Sequence, residues 1–419
     1  MNPVIRVELI AIGDELQSGR TVDTNSAFLG RRLTAAGLPV HRRTVIGDDP
    51  AVIGETLKLA LDRSRLIFVV GGLGPTPDDR TTATVAEVLG RKLVTHPPTL
   101  RRIEARFRRA GRKVPPAVKR QARVLAGARL FANPVGTAPG CLLERQNTIL
   151  VLLPGVPAEL EALFDVIEPF LRQRFLKSPI HRVQVRTTGR PESALAPVVE
   201  RSLRRFSGVS TAYYPSTSGV DVVLTASSEP EMELALGAAR KAIGASVYEI
   251  GNRGLPELVG DLLRSRRLHL ATAESCTGGM IASRITDVPG SSDYFKGGSV
   301  VYANEAKLAL LGVAETSLYR HGAVSMQVVR ELALGACRMF QAEVGIAVSG
   351  IAGPGGGTPA KPVGLVYVAV ALNEQVWTER FLFNGPRRSV REQATAAALD
   401  LCRRCLSDPV RPRSTGRRA

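Results

Sequence analysis

Residues 65–82 read RLIFVVGGLGPTPDDRTT. The apolar residues from Leu66 to Val70 form a short run closed by Gly71 and Gly72, the pattern of a strand followed by a tight turn. The same grammar recurs on both sides. RVELIAIG, NSAFLGRRLTAAGL, PVHRRTVIG and AVIGETLKLALDRS precede it, and NTILVLLPGVPAELEALF follows. Strand and helix patterns alternate through residues 5–170, which predicts an α/β fold with a parallel sheet and helices on both faces. Ligands of such sheets bind beyond the carboxyl ends of the strands, so the residues just after each apolar run are the first candidates for a site.

The pattern changes after 170. HRVQVRTTG, PESALAPVVERSLRRF, VSTAYYPS, GVDVVLTAS and EPEMELALGAARKAIG describe a small α+β unit, expected to be KH-like. From 254 to 405 the chain reads helix, strand LHLATAES, helix, strand GGSVVYA, helix, strands VGIAVSG, GLVYVAVAL and QVWTERFLF, and a final helix. The expected organisation is therefore an α/β domain at 1–170, the α+β unit at 171–252, a second α/β domain at 253–406 and a disordered basic tail at 407–419. At 419 residues, two or three cores are expected.

Composition narrows the function classes. With 44% hydrophobic and 22% charged residues, and no apolar run near the roughly 18 residues of a membrane helix, a soluble protein is expected. The opening MNPVIRVELIAIGDEL alternates like a strand and does not resemble a signal peptide, so the expected location is cytoplasmic. Five scattered cysteines point to reduced thiols, and Cys402 and Cys405, a C-x-x-C without a second pair, read as ordinary helix residues. The net charge of +18 invites a nucleic-acid reading, but fourteen of those charges lie in residues 101–123 and 401–419. In the first segment Leu100, Ile103 and Phe107 fall at helical spacing, predicting a helix with a solvated basic face, and neither segment interleaves aromatics with its charges. Specific nucleic-acid binding is not expected.

Three strand ends of the first domain are acidic. Asp14 and Glu15 follow the first strand, Asp48 and Asp49 the second, and Gly71, Gly72, Gly74, Thr76, Asp78 and Asp79 the third. Glycines let backbone N–H groups approach an anion, and the following helix aims its positive end at the same place. Carboxylates there would repel a phosphate unless a cation sits between, so Asp14, Asp48, Asp78 and Asp79 are the expected ligands of a divalent ion of the Mg, Mn or Co class. The alternative is local: Asp79 or Thr81 as a helix cap, Asp48 or Asp49 as a turn former.

GDELQSGRTVDTNSAFLGRRL, VVGGLGPTPDDRTT, NPVGTAPG and LLPGVPAEL resemble the N-terminal domain of the CinA (competence/damage-inducible protein A) family, related to molybdopterin-binding domains. The resemblance implies a three-layer α/β domain and a metal-dependent ADP-ribose pyrophosphatase, with molybdopterin binding as the rival for this domain.

In the last domain ATAESCTGG ends a strand and opens a helix, placing Ser275 at a sharp turn like that of a nucleophile elbow, though without its usual glycines. Serine needs a base. His269 and His321 lie outside glycine-rich loops, whereas VVYANEAKLALLG supplies Tyr302, Asn304 and Lys307 straight after a strand, and Ser–Lys pairs are an established alternative. Lys307 would need its pKa lowered by burial or neighbouring cations. The loop AVSGIAGPGGGTPAKPVG offers Ser349, Gly350, Gly353, Gly355 and Thr358, and FNGPRRSVREQ offers Arg387 and Arg388, for an oxyanion or a phosphate. Structural roles compete here too: Ser275 as a helix cap, Lys307 as a solvated helix lysine.

ATAESCTGGMIASRITDVPGSSDYFKGGSVVYANEAK and SGIAGPGGGTPAKPVGLVYVA resemble the C-terminal domain of the same family, a nicotinamide mononucleotide (NMN) amidohydrolase that needs no cofactor. The resemblance implies Ser275 as nucleophile, Lys307 and Tyr302 as its activating partners, and Thr277, Gly278, Gly279, Asn304, the glycine loop and Arg387 or Arg388 as substrate holders. It also implies NMN and ADP-ribose as substrates and a homodimer. Cys276 is the alternative nucleophile, and the resemblance favours Ser275. Pro386 stands where the family's arginine is usually preceded by Asp, which leaves the choice between Arg387 and Arg388 open.

Overall fold

A computed structural model describes residues 5–175 and 180–408. The chain divides into two compact units that meet between Ile180 and His181. The basic tail expected at 407–419 lies outside the described residues from 409 onward.

The first unit is built on a six-stranded sheet. Its strands are β1 (Val7–Ile12), β2 (Val40–Ile46), β3 (Leu66–Val70), and, after the two short strands β4 (Leu93–Thr95) and β5 (Arg123–Leu125) of a separate ribbon, β6 (Arg129–Phe131), β7 (Gly140–Arg145) and β8 (Thr148–Leu153). The order is β2-β1-β3-β8-β7-β6. The first four run parallel and the last two are antiparallel additions. Every residue of β1 and β3 is buried, because both faces are covered. Leu29, Leu33, Leu163 and Phe164, from helices Thr24–Ala35 and Pro157–Phe175, close one face. Ile53, Leu57 and Val85, from Pro50–Arg63 and Thr81–Val88, close the other. Three layers result.

The second unit contains two sheets. β9 (His181–Thr187), β10 (Val209–Ser216), β11 (Gly219–Ala226) and β12 (Val247–Ile250) form an antiparallel sheet in the order β10-β11-β9-β12, with helices Glu192–Leu203 and Glu229–Ile243 in the two crossovers. Two βαβ halves are thus interleaved, which is the ferredoxin-like split arrangement and corrects the KH-like expectation. The reason is visible in β11, whose buried Val222 and Leu224 pack with Leu195, Val199, Ala235 and Ala239 of both helices, drawing both crossovers onto one sheet.

The other sheet comprises β13 (Leu270–Glu274), β14 (Phe295–Val300), β15 (Val344–Gly350), β16 (Leu365–Leu372) and β17 (Gln375–Leu382), in the order β14-β13-β15-β16-β17. Its first three strands are parallel and its last two antiparallel. Helices Leu255–Arg266 and Arg387–Ser407 cover one face, and Met326–Phe340 covers the other. Among the described residues no helix is long and apolar enough to cross a membrane.

Candidate active sites

The carboxyl ends of β2, β1, β3 and β8 meet at one edge of the first sheet, since Ile12 pairs with Ile46, and Val70 with both Ala11 and Leu153. The loops leaving them surround a cavity of about 740 Å³ that includes Glu15, Asp48, Gly71, Gly74, Asp78 and Asp79 in its wall. Gly71 has φ +105°, and a Cβ there would stand 2.2 Å from the Ile12 carbonyl oxygen, so the turn after β3 admits only glycine.

Asp14 and Asp48 face each other. The Asp14 N–H donates to Asp48 Oδ2 and the Asp48 N–H to Asp14 Oδ1, both at 3.1 Å. Burial, and then the neighbouring charges of Asp14, Glu15 and Asp78, hold the Asp48 carboxyl above the usual carboxylate range. Asp79 behaves differently. Its carboxylate accepts from the Gly74 and Thr76 N–H groups, both at 2.8 Å, and from the Thr76 hydroxyl, which makes it the former of the glycine-rich loop. Among the described residues no group of three or more His, Cys, Asp or Glu could hold a metal by itself. The four-carboxylate ligand set is therefore corrected, because Asp79 is committed to its own loop. The acidic pair at this edge is Asp14 and Asp48, each accepting the other's backbone N–H.

The basic helix Pro97–Arg109 is also corrected. Ile103 is buried as expected, but the basic residues flanking it are not simply solvated. Arg102 and Arg106 donate to the carbonyls of Asn133 and Val135, and Arg120 donates to that of Pro75 at 2.7 Å. These cations tie down loops at the cavity rim, and Arg106 lines the cavity itself.

In the second unit β14, β13 and β15 end in register, Glu274 pairing with Val300 on one side and Val348 on the other. Ser275 therefore leaves the sheet level with Val301, one residue before Tyr302, while β15 continues to Gly350. The Ser275 N–H donates to the Val348 carbonyl at 3.1 Å, and the Val301 N–H to that of Glu274 at 2.9 Å.

The turn after Ser275 is held from two directions. Gly278 and Gly279 take φ values of +60° and +91°, which reverse the chain into helix Met280–Thr286. The Glu274 carboxylate, fully buried, accepts from the N–H groups of Gly279 at 3.0 Å, Ile281 at 3.1 Å and Ala282 at 2.9 Å. Arg391 donates to the carbonyls of Cys276 at 3.1 Å and Thr277 at 2.6 Å. Cys276 packs into the apolar core with Ile281 and Val348, and burial pushes its thiol up to about 12. Thr277 is buried too, with no hydrogen-bond partner for its hydroxyl among the described residues. Of the three consecutive nucleophile types, only Ser275 is partly exposed.

Lys307 lies in the second turn of helix Asn304–Leu311 and is only 1% exposed. Its amine donates to the carbonyls of Tyr302 at 2.9 Å and Ala303 at 3.4 Å, and burial lowers its pKa below that of an ordinary lysine. It lies within electrostatic reach of Cys276, the neighbour of Ser275, although among the described residues it makes no hydrogen bond to Ser275 itself. The Tyr302 hydroxyl accepts from Arg387 Nη2 at 2.8 Å, and Arg387 Nη1 donates to the Gly353 carbonyl at 2.8 Å. Arg388 is 89% exposed and pairs with Glu392 at 2.9 Å. Arg387 is thus the arginine that joins the site loops.

The remaining expected residues divide. Asn304, Gly355 and Thr358 are exposed, and Gly350 is half-buried at the start of the loop. The Thr358 hydroxyl accepts from the Lys361 N–H at 3.0 Å, closing a turn. The Ser349 side chain faces inward and donates to the Ala323 carbonyl at 2.7 Å, so it holds that segment in place and is corrected as a substrate contact. His269 pairs with Glu343 at 3.1 Å, away from these residues.

Residues 252–406 match the CinA C-terminal domain, and residues 8–173 match a family described as a probable molybdopterin binding domain. The chain is 41% identical over 410 residues to a CinA-like protein of Chlorobaculum tepidum, covering 93% of this chain and 96% of that one. It is 40% identical over 412 residues to a CinA-like protein of Gemmatimonas aurantiaca, covering 96% of each. The chain belongs to the CinA family. Among solved structures it is similar to the CinA protein of Thermoplasma acidophilum, described there as of unknown function, at 37% identity over 40% of this chain and 97% of that one, with a TM-score of 0.37.

Within this CinA chain, two residues at the serine turn escaped the sequence reading. Glu274 stands in AES at a strand end, where an apolar residue would be the default, and Arg391 repeats Arg387 one helical turn later. Charge at a strand end or on a helix does not announce a backbone partner.

Proposed function

We propose that the C-terminal domain is an NMN amidohydrolase and that the N-terminal domain is a metal-dependent ADP-ribose pyrophosphatase. The observation that carries the first is Lys307: a buried amine with a lowered pKa, on the helix that follows the strand beside the one ending just before Ser275. A neutral amine there can act as general base. Ser275 Oγ attacks the carboxamide carbon, Lys307 takes the hydroxyl proton and returns it to the departing nitrogen, and ammonia leaves. Water then cleaves the acyl-serine, giving nicotinate mononucleotide. Arg387, already joining Tyr302 and Gly353, has further N–H donors for the phosphate. The test is direct: the purified chain, incubated with NMN, releases ammonia, and Ser275→Ala does not. Stoichiometric NMN binding without ammonia would sink the reading and leave a binding module.

For the first domain, the acidic edge beside the glycine-rich loop supports a diphosphate substrate carried with a divalent ion. Asp14 and Asp48 would hold that ion, which would neutralise phosphate charge when bound. The chain's own part is to present the Gly71–Gly74 backbone to the diphosphate, in a loop shaped by Asp79. ADP-ribose should be converted to AMP and ribose 5-phosphate, and excess chelator should stop it. Full activity in chelator overturns the metal dependence.

A further inference from the structure

Arg391 is half-buried and, among the described residues, forms no ion pair. Its hydrogen bonds go to two consecutive carbonyls, those of Cys276 and Thr277, more than 110 residues away in sequence, at separations of 115 and 114. Glu274 holds the N–H groups of the same turn. A cation on the carbonyls and an anion on the amides fix both kinds of backbone group in the segment that carries Ser275. Each charge also lies along the direction that its backbone partners favour. Arg387, four residues earlier and so on the same helical face, reaches Tyr302 and Gly353. One face of helix Arg387–Ser407 thereby meets the loops that follow β13, β14 and β15.

We propose that Arg391 is a positioning residue for the reaction at Ser275, setting the turn from which the serine attacks. This inference rests on the reading of Ser275 as nucleophile. A glutamine can replace neither both hydrogen bonds nor the charge, and a lysine restores the charge without the fork.

The experiment uses the full chain as wild type, Arg391→Gln, Arg391→Lys and, as a charge control on the exposed end of another helix, Arg266→Gln. Five quantities are read: kcat and KM for NMN, the rate of Ser275 modification by a serine-directed fluorophosphonate, the melting temperature, and the response to added guanidinium. Arg391→Gln is expected to lose about 100-fold or more in kcat with KM within about threefold, on the scale of a misplaced catalytic group. Fluorophosphonate labelling should slow in parallel. Guanidinium in the millimolar range should restore at least fivefold, Arg391→Lys should fall between the two, and Arg266→Gln should match wild type. A kcat within threefold of wild type overturns the proposal, as does a loss that follows the melting temperature and ignores guanidinium. If wild type is labelled at Ser275 yet releases no ammonia, the amidohydrolase reading fails and Arg391 is judged on labelling alone. If folded wild type does neither, Ser275 is no nucleophile and both fall.

Discussion

Arg387 Nη2 lies 2.8 Å from the Tyr302 hydroxyl, so the first turn of helix Arg387–Ser407 is joined to the loop that leads into Lys307. Arg388, the next residue, points to solvent and pairs with Glu392. Arg387→Ala should raise KM for NMN by about 10- to 100-fold, the range for losing a charged hydrogen-bond donor to an anionic ligand. Arg388→Ala should stay within about twofold. Steady-state kinetics on the two variants decides, and equal effects would remove the assignment of Arg387.

Lys307 supplies a pH signature. Its folded pKa is lowered by burial, so the folded chain gives up the proton more readily than the unfolded chain, whose lysines titrate near about 10.4. Between those two values the unfolded state binds the extra proton, and stability rises with pH. Activity should rise over the same range, with an inflection below that of ordinary lysine. Lys307→Met should lower the rate on the order of 10³-fold, abolish that inflection and leave a chain whose melting temperature at pH 7 is no lower than wild type. A wild-type rate profile with no Lys307-dependent inflection anywhere below about 10.4 would count against the neutral amine.

Cys276 offers a contrast with its neighbour. Its thiol is buried and pushed up to about 12, so very little thiolate exists at neutral pH. Native protein at pH 8 should resist iodoacetamide at this position, read by peptide mass spectrometry. Cys276→Ala should keep most amidase activity while costing about 1 kcal/mol of stability, the usual scale of a point substitution. An inactive but well-folded Cys276→Ala would restore the cysteine as nucleophile.

The Asp14–Asp48 pair predicts a trade between stability and metal response. The two carboxylates, each accepting the other residue's backbone N–H and with Glu15 and Asp78 nearby, repel one another in the absence of a cation. Asp48→Asn should raise the melting temperature in metal-free buffer. Magnesium should then raise the melting temperature of wild type more than that of the variant. Identical magnesium shifts would show that the ion binds elsewhere.

Much of this was legible in the sequence. The run Leu66–Val70 and its counterparts announced the parallel core because strands covered on both faces must be apolar throughout. Ser275 was legible for the same reason, since it directly follows such a strand. Asp79 and Ser349 misled because an Asp or Ser after a strand looks the same whether its oxygen faces a ligand or its own loop, and only the backbone path separates the two. Arg391 stayed hidden because its partners are carbonyls, which every residue carries. The interleaving of β9–β12 was equally silent, since strand and helix patterns state what forms but not which edge pairs with which.

The contacts of Arg391 with Cys276 and Thr277 also order events during synthesis. The turn bearing Ser275 leaves the ribosome 115 residues before the guanidinium that closes on the Cys276 carbonyl. At ~5–20 residues per second, that interval is on the order of ten seconds. Until Val348 has been made, well within that interval, the sheet also lacks the β15 carbonyl that fixes Ser275. The first unit waits far less, since its six strands are complete by Leu153 and its closing helix follows at once, over Pro157–Phe175. A nascent chain therefore acquires its two candidate sites in succession, the acidic cavity of the first sheet before the serine turn, which is complete only when the closing helix has emerged.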